Sequence, residues 1–147
     1  MAEMRSLWIG LVFLALSATA AVAQQMTVRL LDGRNGHPLK NQVVDLWFSD
    51  RAGGAPLQAT TGQDGTVAVK LPRDANVFVA AGEGVADCRE GNTPGKTFID
   101  STVYAVSAVL NTGVVANNSC GDATQQVVPG TFTFFLRPKH VWEKMRE

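Results

Sequence analysis

Cys88 and Cys120, His37 and His140, and the aspartates Asp32, Asp50 and Asp64 are the side chains of this 147-residue sequence whose types and places could support chemistry. The two cysteines could form a disulfide, hold a metal or exchange thiols. Their spacing is not that of a Cys-x-x-Cys redox site, and neither histidine completes a ligand set with them. An even cysteine count in an exported chain makes one intramolecular disulfide the simplest outcome, stabilising the fold by about 3 to 4 kcal/mol on the chain-entropy model. The three aspartates bring oxygens that a hard cation such as calcium wants. Each is followed by Gly or Arg, however, and none lies in a closely spaced acidic run, so turn formation accounts for Asp32 and Asp64 without a metal. His37 sits in a Gly-His-Pro turn and His140 in the C-terminal tail. With no Gly-x-Ser-x-Gly elbow, His-Glu-x-x-His pair or Gly-rich phosphate loop, the expectation is a non-enzymatic protein with no cofactor and no metal. Asn117-Asn118-Ser119 fits a glycosylation sequon but reads more simply as a polar loop.

Those residues follow a segment built for export. Arg5 and the amino terminus carry positive charge, Leu7 to Ala18 is almost wholly apolar, and Ala21-Val22-Ala23 offers small residues for cleavage before Gln24. The apolar run is shorter than the roughly 20 residues that a membrane-spanning helix needs. Residues 1–23 are therefore expected to be a signal peptide, placing the protein outside the cytoplasm, in the periplasm or secreted, with no stable membrane span after cleavage. Their removal takes away one acid, Glu3, and one base, Arg5, and leaves 124 residues with balanced charge. That is room for one domain with a real core, and it offers no basic field to attract nucleic acid.

The elements that must position these residues are strands. Met26-Thr27-Val28-Arg29-Leu30 alternates at the period that buries one face, and Asp32-Gly33 ends it. In Gln42 to Ser49, Val44, Leu46 and Phe48 share one face and Val43, Asp45 and Trp47 the other, a pattern suited to a central strand. A weaker strand runs from Pro56 to Thr60, with Pro56 favouring an edge. Asp64-Gly65 signals a hairpin to Thr66–Leu71, and a further run spans Asn76 to Ala81. Gly82-Glu83-Gly84 opens a long loop containing Cys88. Phe98 to Leu110 is rich in β-branched and apolar residues, Val114–Ala116 continues it, and Cys120 lies in the next loop. Thr131 to Leu136 places Phe132, Phe134 and Leu136 inward and Phe135 outward. About seven short strands with turn signals between them predict an all-β sandwich over residues 24–138. The charged tail, residues 139–147, sets Val141 and Met145 four apart with Trp142 beside them, as a short C-terminal helix would.

The pattern Val28-Arg29-Leu30-Leu31-Asp32-Gly33, Gly36-x-Pro38-Leu39, Val43-Val44-Asp45-Leu46 and Thr61-x-x-Asp64-Gly65-Thr66-Val67 resembles the carboxypeptidase regulatory-like, prealbumin-like (transthyretin-like) modules of exported bacterial proteins. The likeness covers about residues 26–81. It implies a seven-stranded, Ig-like Greek-key sandwich engaged in binding, assembly or stabilisation. Transthyretin-like sandwiches also include hydroxyisourate hydrolases, which use histidines and an arginine at a subunit interface and end in Tyr-Arg-Gly-Ser. This chain ends in Lys-Met-Arg-Glu, which sets that activity behind the others.

The functional expectation is a module that binds a protein or glycan of the cell envelope through its long loops or through a patch including Trp47 or Trp142. The alternative is a structural subunit that forms homo-oligomers through a sandwich edge.

Overall fold

The alternation read from the sequence becomes two packed sheets in the computed structural model, which describes residues 24–48, 55–89, 103–139 and 145. In chain order the elements are β1 (Gln25–Asp32), β2 (Val43–Phe48), β3 (Leu57–Thr60), β4 (Thr66–Lys70), β5 (Val77–Gly82), β6 (Val85–Asp87), β7 (Tyr104–Ala105), α1 (Val106–Asn111), β8 (Val114–Val115) and β9 (Thr131–Pro138). Sheet A has the order β4-β1-β9-β6, with β8 also on β9; sheet B has the order β3-β2-β5-β7. Among the described residues no helix is long and apolar enough to cross a membrane.

Met26, Val28 and Leu30 of β1 and Phe132, Phe134 and Leu136 of β9 point from sheet A into the same core as Val44, Leu46 and Phe48 of β2 and Phe78 and Ala80 of β5 from sheet B. Phe78 meets Phe132 edge-on at 5.1 Å between ring centroids and Tyr104 lies 4.6 Å from Phe132, so aromatic contacts tie the two layers together. Each such side chain, fully buried, contributes about 1.5 to 3 kcal/mol by removing apolar surface from water.

β9 is the axis of sheet A. It runs parallel to β1, with Thr27 opposite Thr131 and Asp32 opposite Leu136. Its other edge is shared: β8 lies parallel beside Phe132 and Thr133, and β6 lies antiparallel beside Leu136 to Pro138. The last residues of β6 and of β8 thus approach the middle of β9 from opposite directions, and that approach creates the site described below.

The structure differs from the sequence reading in three places. Asp64-Gly65 does not close a hairpin: β3 pairs with β2 and β4 with β1, so this turn carries the chain from sheet B to sheet A. The Thr61 hydroxyl donates to Leu39 O and accepts from the Gln42 N–H, and Gly65, at φ +71°, sits where a Cβ would come within 2.7 Å of Leu30 O. The packed corner outweighs the local hairpin signal. Next, the long loop read as opening at Gly82 is interrupted by a strand, because the turn Glu83-Gly84 leads into β6 before Cys88; its residues 90–102 lie outside the described residues. Finally, Phe98 to Leu110 is not one strand. Its described part is the two-residue β7 and the helix α1, whose Val106 and Val109, three apart, are the buried pair. β-Branched content suggested extension, but an i, i+3 apolar pair is equally the mark of one helical turn, and the N–H groups of Thr112 and Gly113 close it on Ala108 O. The strand count is nine among the described residues. The expected C-terminal helix falls in the tail and lies outside the described residues, apart from Met145, which is 76% exposed.

Candidate functional site

Leu136 has an aspartate opposite it on each side: Asp32 on β1 and Asp87 on β6. Each aspartate is followed, two residues on, by an arginine, and the local geometry repeats. The Arg34 N–H donates to Asp32 Oδ1 at 2.9 Å and the Arg89 N–H to Asp87 Oδ1 at 2.9 Å; each Nε donates to the same oxygen at 3.0 Å. Nη2 of each arginine then closes an ion pair, at 2.6 Å for Arg34.

The two arginines differ in environment, while both aspartate side chains are largely buried, 8% exposed for Asp32 and 12% for Asp87. Arg34 stands at the tip of the turn after β1, its side chain 48% exposed, and its guanidinium holds the Asp32 carboxyl below the ordinary carboxylate range against the opposing effect of burial. Arg89 is buried, its side chain 5% exposed. Its Nη2 also donates to Ala80 O of sheet B at 2.6 Å, Nη1 reaches the Tyr104 hydroxyl at 3.4 Å, and the guanidinium carbon lies 4.6 Å from the Phe134 ring centre. Burial works against the charge of Arg89, but the bonds to Asp87 outweigh it and the guanidinium stays firmly protonated. Arg89 therefore joins the sheets: its carboxylate partner belongs to sheet A and its carbonyl partner to sheet B.

Between the two pairs lies the disulfide. Cys88 and Cys120 are bonded, with Cα atoms 5.2 Å apart. Cys88 donates its N–H to Phe135 O, just as Ala116 beyond β8 donates to Thr133 O, so the bond spans the gap where β6 and β8 meet along β9. It covers the outward-facing Leu31 and Phe135, which form a second small core with Cys88 and the half-buried Val115 and Ala123. Gly33 is pressed against it: a Cβ there would meet Asn118 Oδ1 at 2.5 Å and Cys88 Sγ at 2.7 Å. Asn118 holds the strap in place, its amide donating to Gly33 O at 2.7 Å and Ala123 O at 2.9 Å, while the Ser119 hydroxyl donates to Cys88 O at 2.6 Å. The sequon asparagine, Asn117, is exposed beside this network.

Of the other residues singled out from sequence, His37 is exposed in the turn after β1, and Asp64 is exposed with its carboxyl held low by bonds from the Thr66 hydroxyl and N–H. Asp50, His140 and Trp142 lie outside the described residues. Trp47 is half-buried on the outer face of sheet B, opposite Val79, and is not brought near the disulfide. Two strand positions from it, on the same face, Asp45 lies between Gln58 of β3 and Ala81 of β5, and its buried Oδ1 has no hydrogen-bond partner among the described residues. The sequence reading missed Asp45 and Arg89. The repeated Asp-x-Arg triplet was a signal for Arg89; nothing local marked one carboxylate oxygen of the half-buried Asp45 as buried. Among the described residues no group of three or more His, Cys, Asp or Glu is placed to hold a metal ion.

These features define a two-sheet β-sandwich with one disulfide-braced edge. No protein-family model matches the chain, and neither curated proteins nor solved structures give a match. The likeness to prealbumin-like modules accordingly rests on the motif residues of β1, β2 and the Thr61–Val67 corner.

Proposed function

We propose that this is an exported, non-enzymatic binding module that engages a protein or glycan of the cell envelope through the outer face of sheet B. The observation that carries the reading is Asp45: a buried carboxylate oxygen with no hydrogen-bond partner among the described residues is costly, and a ligand donor arriving on that face would satisfy it. Around it Val43, Trp47, Val77, Val79 and Ala81 are all half-buried, an apolar surround for one polar contact, as recognition sites commonly are. By contrast, the charged side chains at the disulfide edge are engaged with one another.

The fold reading that accompanies this function is a prealbumin-like Greek key. Seven strands of three residues or more form the frame, the chain crosses between the sheets after β1, β3, β4, β5, β6 and β7, and the first and last strands lie side by side in parallel.

The competing reading, self-association through a sheet edge, meets two obstacles. The free edge of β4 carries the exposed Lys70, and Gly62 N–H and Asp64 Oδ1 already take up the backbone O and N–H of Thr66; β3 is four residues long and follows Pro56. A photo-reactive residue in place of Gln58, exposed and opposite Asp45, tests the choice in the native envelope. One abundant partner, captured from the parent protein and lost with Asp45→Leu, supports the binding module. Recovery of the protein crosslinked only to itself would replace it with the structural-subunit reading.

A further inference from the structure

Export cleavage at Ala23 would leave a glutamine as the first residue of the protein, and the fold fixes what surrounds it. Gln24 is exposed, and its carbonyl accepts the Leu71 N–H at 2.8 Å, the first rung of the ladder between β1 and β4. The next pair in register is Gln25 with Lys70. Residue 24 is therefore anchored through its carbonyl and is otherwise exposed, one position before the rung that pairs Gln25 with Lys70.

We propose that Gln24 is a modification site at which the mature protein closes its own amino terminus as a pyroglutamyl lactam. The inference rests on the export reading, because it needs the Ala23–Gln24 bond to be cut. In the step itself the unprotonated α-amine of Gln24 attacks Cδ of its own side-chain amide. A carbon–nitrogen bond forms, closing a five-membered ring, the Cδ–Nε2 bond breaks, and the amide nitrogen leaves as ammonia with the proton given up by the amine. Nothing is oxidised or reduced and no second reactant enters. An α-amine titrates near pH 8, so an appreciable fraction is nucleophilic at neutral pH. Two features favour closure here. The exposed side chain is able to fold back on the amine. The anchored carbonyl lies outside the ring and keeps its bond to Leu71. The product is a neutral terminus at the start of β1, refractory to aminopeptidases that need a free amine.

The test is the intact mass of the full chain after export from its own signal, followed by fragmentation of the N-terminal peptide, before and after incubation at neutral pH. The expected result is residues 24–147 lighter by one ammonia, with residue 24 closed to amine-reactive label and to stepwise N-terminal degradation. The Gln24→Glu variant, whose closure must expel water, should keep its amine over the same interval. A chain that begins at Gln24 and retains a free amine after incubation overturns the proposal while leaving the export reading intact. Any other first residue overturns both, and the same spectrum separates the two failures.

Discussion

The two Asp-x-Arg pairs beside Leu136 share their local geometry and differ in almost everything that determines their contribution to stability. Asp32 and Arg34 pair at the tip of a turn that folds straight back on itself, with the Asp32 N–H donating to His37 O at 2.8 Å and Asp32 O accepting from Gly36 N–H at 2.7 Å. The turn would keep its shape on backbone bonds alone. Asp87 and Arg89 instead follow a three-residue strand whose continuation is held by Cys88, and the guanidinium has entered the space between the sheets. An ion pair in water gains little, because solvent screens it and long side chains lose freedom. The same pair with solvent removed acquires obligations, since each polar atom must be met and each charge balanced. The lesson is that one sequence triplet makes a surface turn at one edge of β9 and a tie between sheets at the other, with burial alone deciding which.

The sharpest way to break the comparison is to remove each arginine. Arg89→Ala leaves Asp87 largely buried and unbalanced, frees Ala80 O, and strips the cover from Phe134; the expected loss is about 3 to 5 kcal/mol in urea-induced unfolding. Arg89→Lys should recover only part of this, because an ammonium cannot serve both Asp87 and Ala80 O with a planar fork. If Arg89→Ala unfolds at the urea midpoint of the parent protein, the tie between the sheets has no energetic content.

Next in size is the disulfide that separates the pairs. Replacing both cysteines with alanine should cost about 3 to 4 kcal/mol by restoring freedom to the unfolded chain. It also opens the small core over Leu31 and Phe135, so the loss should couple with that of the adjacent Arg89. A double-mutant cycle between Arg89→Ala and the paired cysteine replacement measures it: simple additivity would mean that the bond and the tie act independently. Gly33→Ala should cost about 1 to 3 kcal/mol, because its methyl would press on Cys88 Sγ and Asn118 Oδ1. Part of that penalty should vanish when Cys88 is alanine. A penalty indifferent to Cys88 would place the crowding on Asn118 and the Cβ of Cys120.

Much of this architecture was legible in the residues. Period-two alternation located β1, β2 and β9 and separated Phe134 from Phe135, because each strand has one face in a core that discriminates strongly between apolar and polar side chains. The pairing of the cysteines followed from their number. What escaped was set by contacts distant in sequence. Asp64-Gly65 looks like a hairpin locally and becomes an inter-sheet corner only because Leu30 and Pro38 pack against Gly65. Val106 and Val109 are helical because Asn76 O captures the Val106 N–H and the short turn then packs under β9. Asp45 is one more polar residue in an alternating strand until its neighbours bury its Oδ1. Of the candidate site, the sequence therefore indicated Trp47 and its strand face but not the unsatisfied carboxylate that makes the face worth testing.

The smallest expected effect lies at the pair whose arginine is exposed, Asp32–Arg34, and is resolved through pH as well as through midpoint. At neutral pH Arg34→Ala should lower stability by less than Arg89→Ala, since only its carboxylate partner is buried, and the loss should match the amount by which the acid limb shrinks. Bonds from the Arg34 side chain hold the folded Asp32 carboxyl below its ordinary value, so the carboxylate stabilises the fold at all pH values above the unfolded carboxyl range, near pH 4. That contribution fades as the pH falls through the lower folded value. Asp64, held low by the Thr66 hydroxyl and N–H, adds a second component with the same sign. Stability measured from pH 6 downward should thus decline below about pH 4. Arg34→Ala should shrink the decline by removing the Asp32 share, and adding Asp64→Asn should shrink it further. An acid limb of equal depth in the parent and in Arg34→Ala would show that the Asp32–Arg34 pair is geometry without energy, and that the whole difference between the two edges of β9 belongs to Arg89.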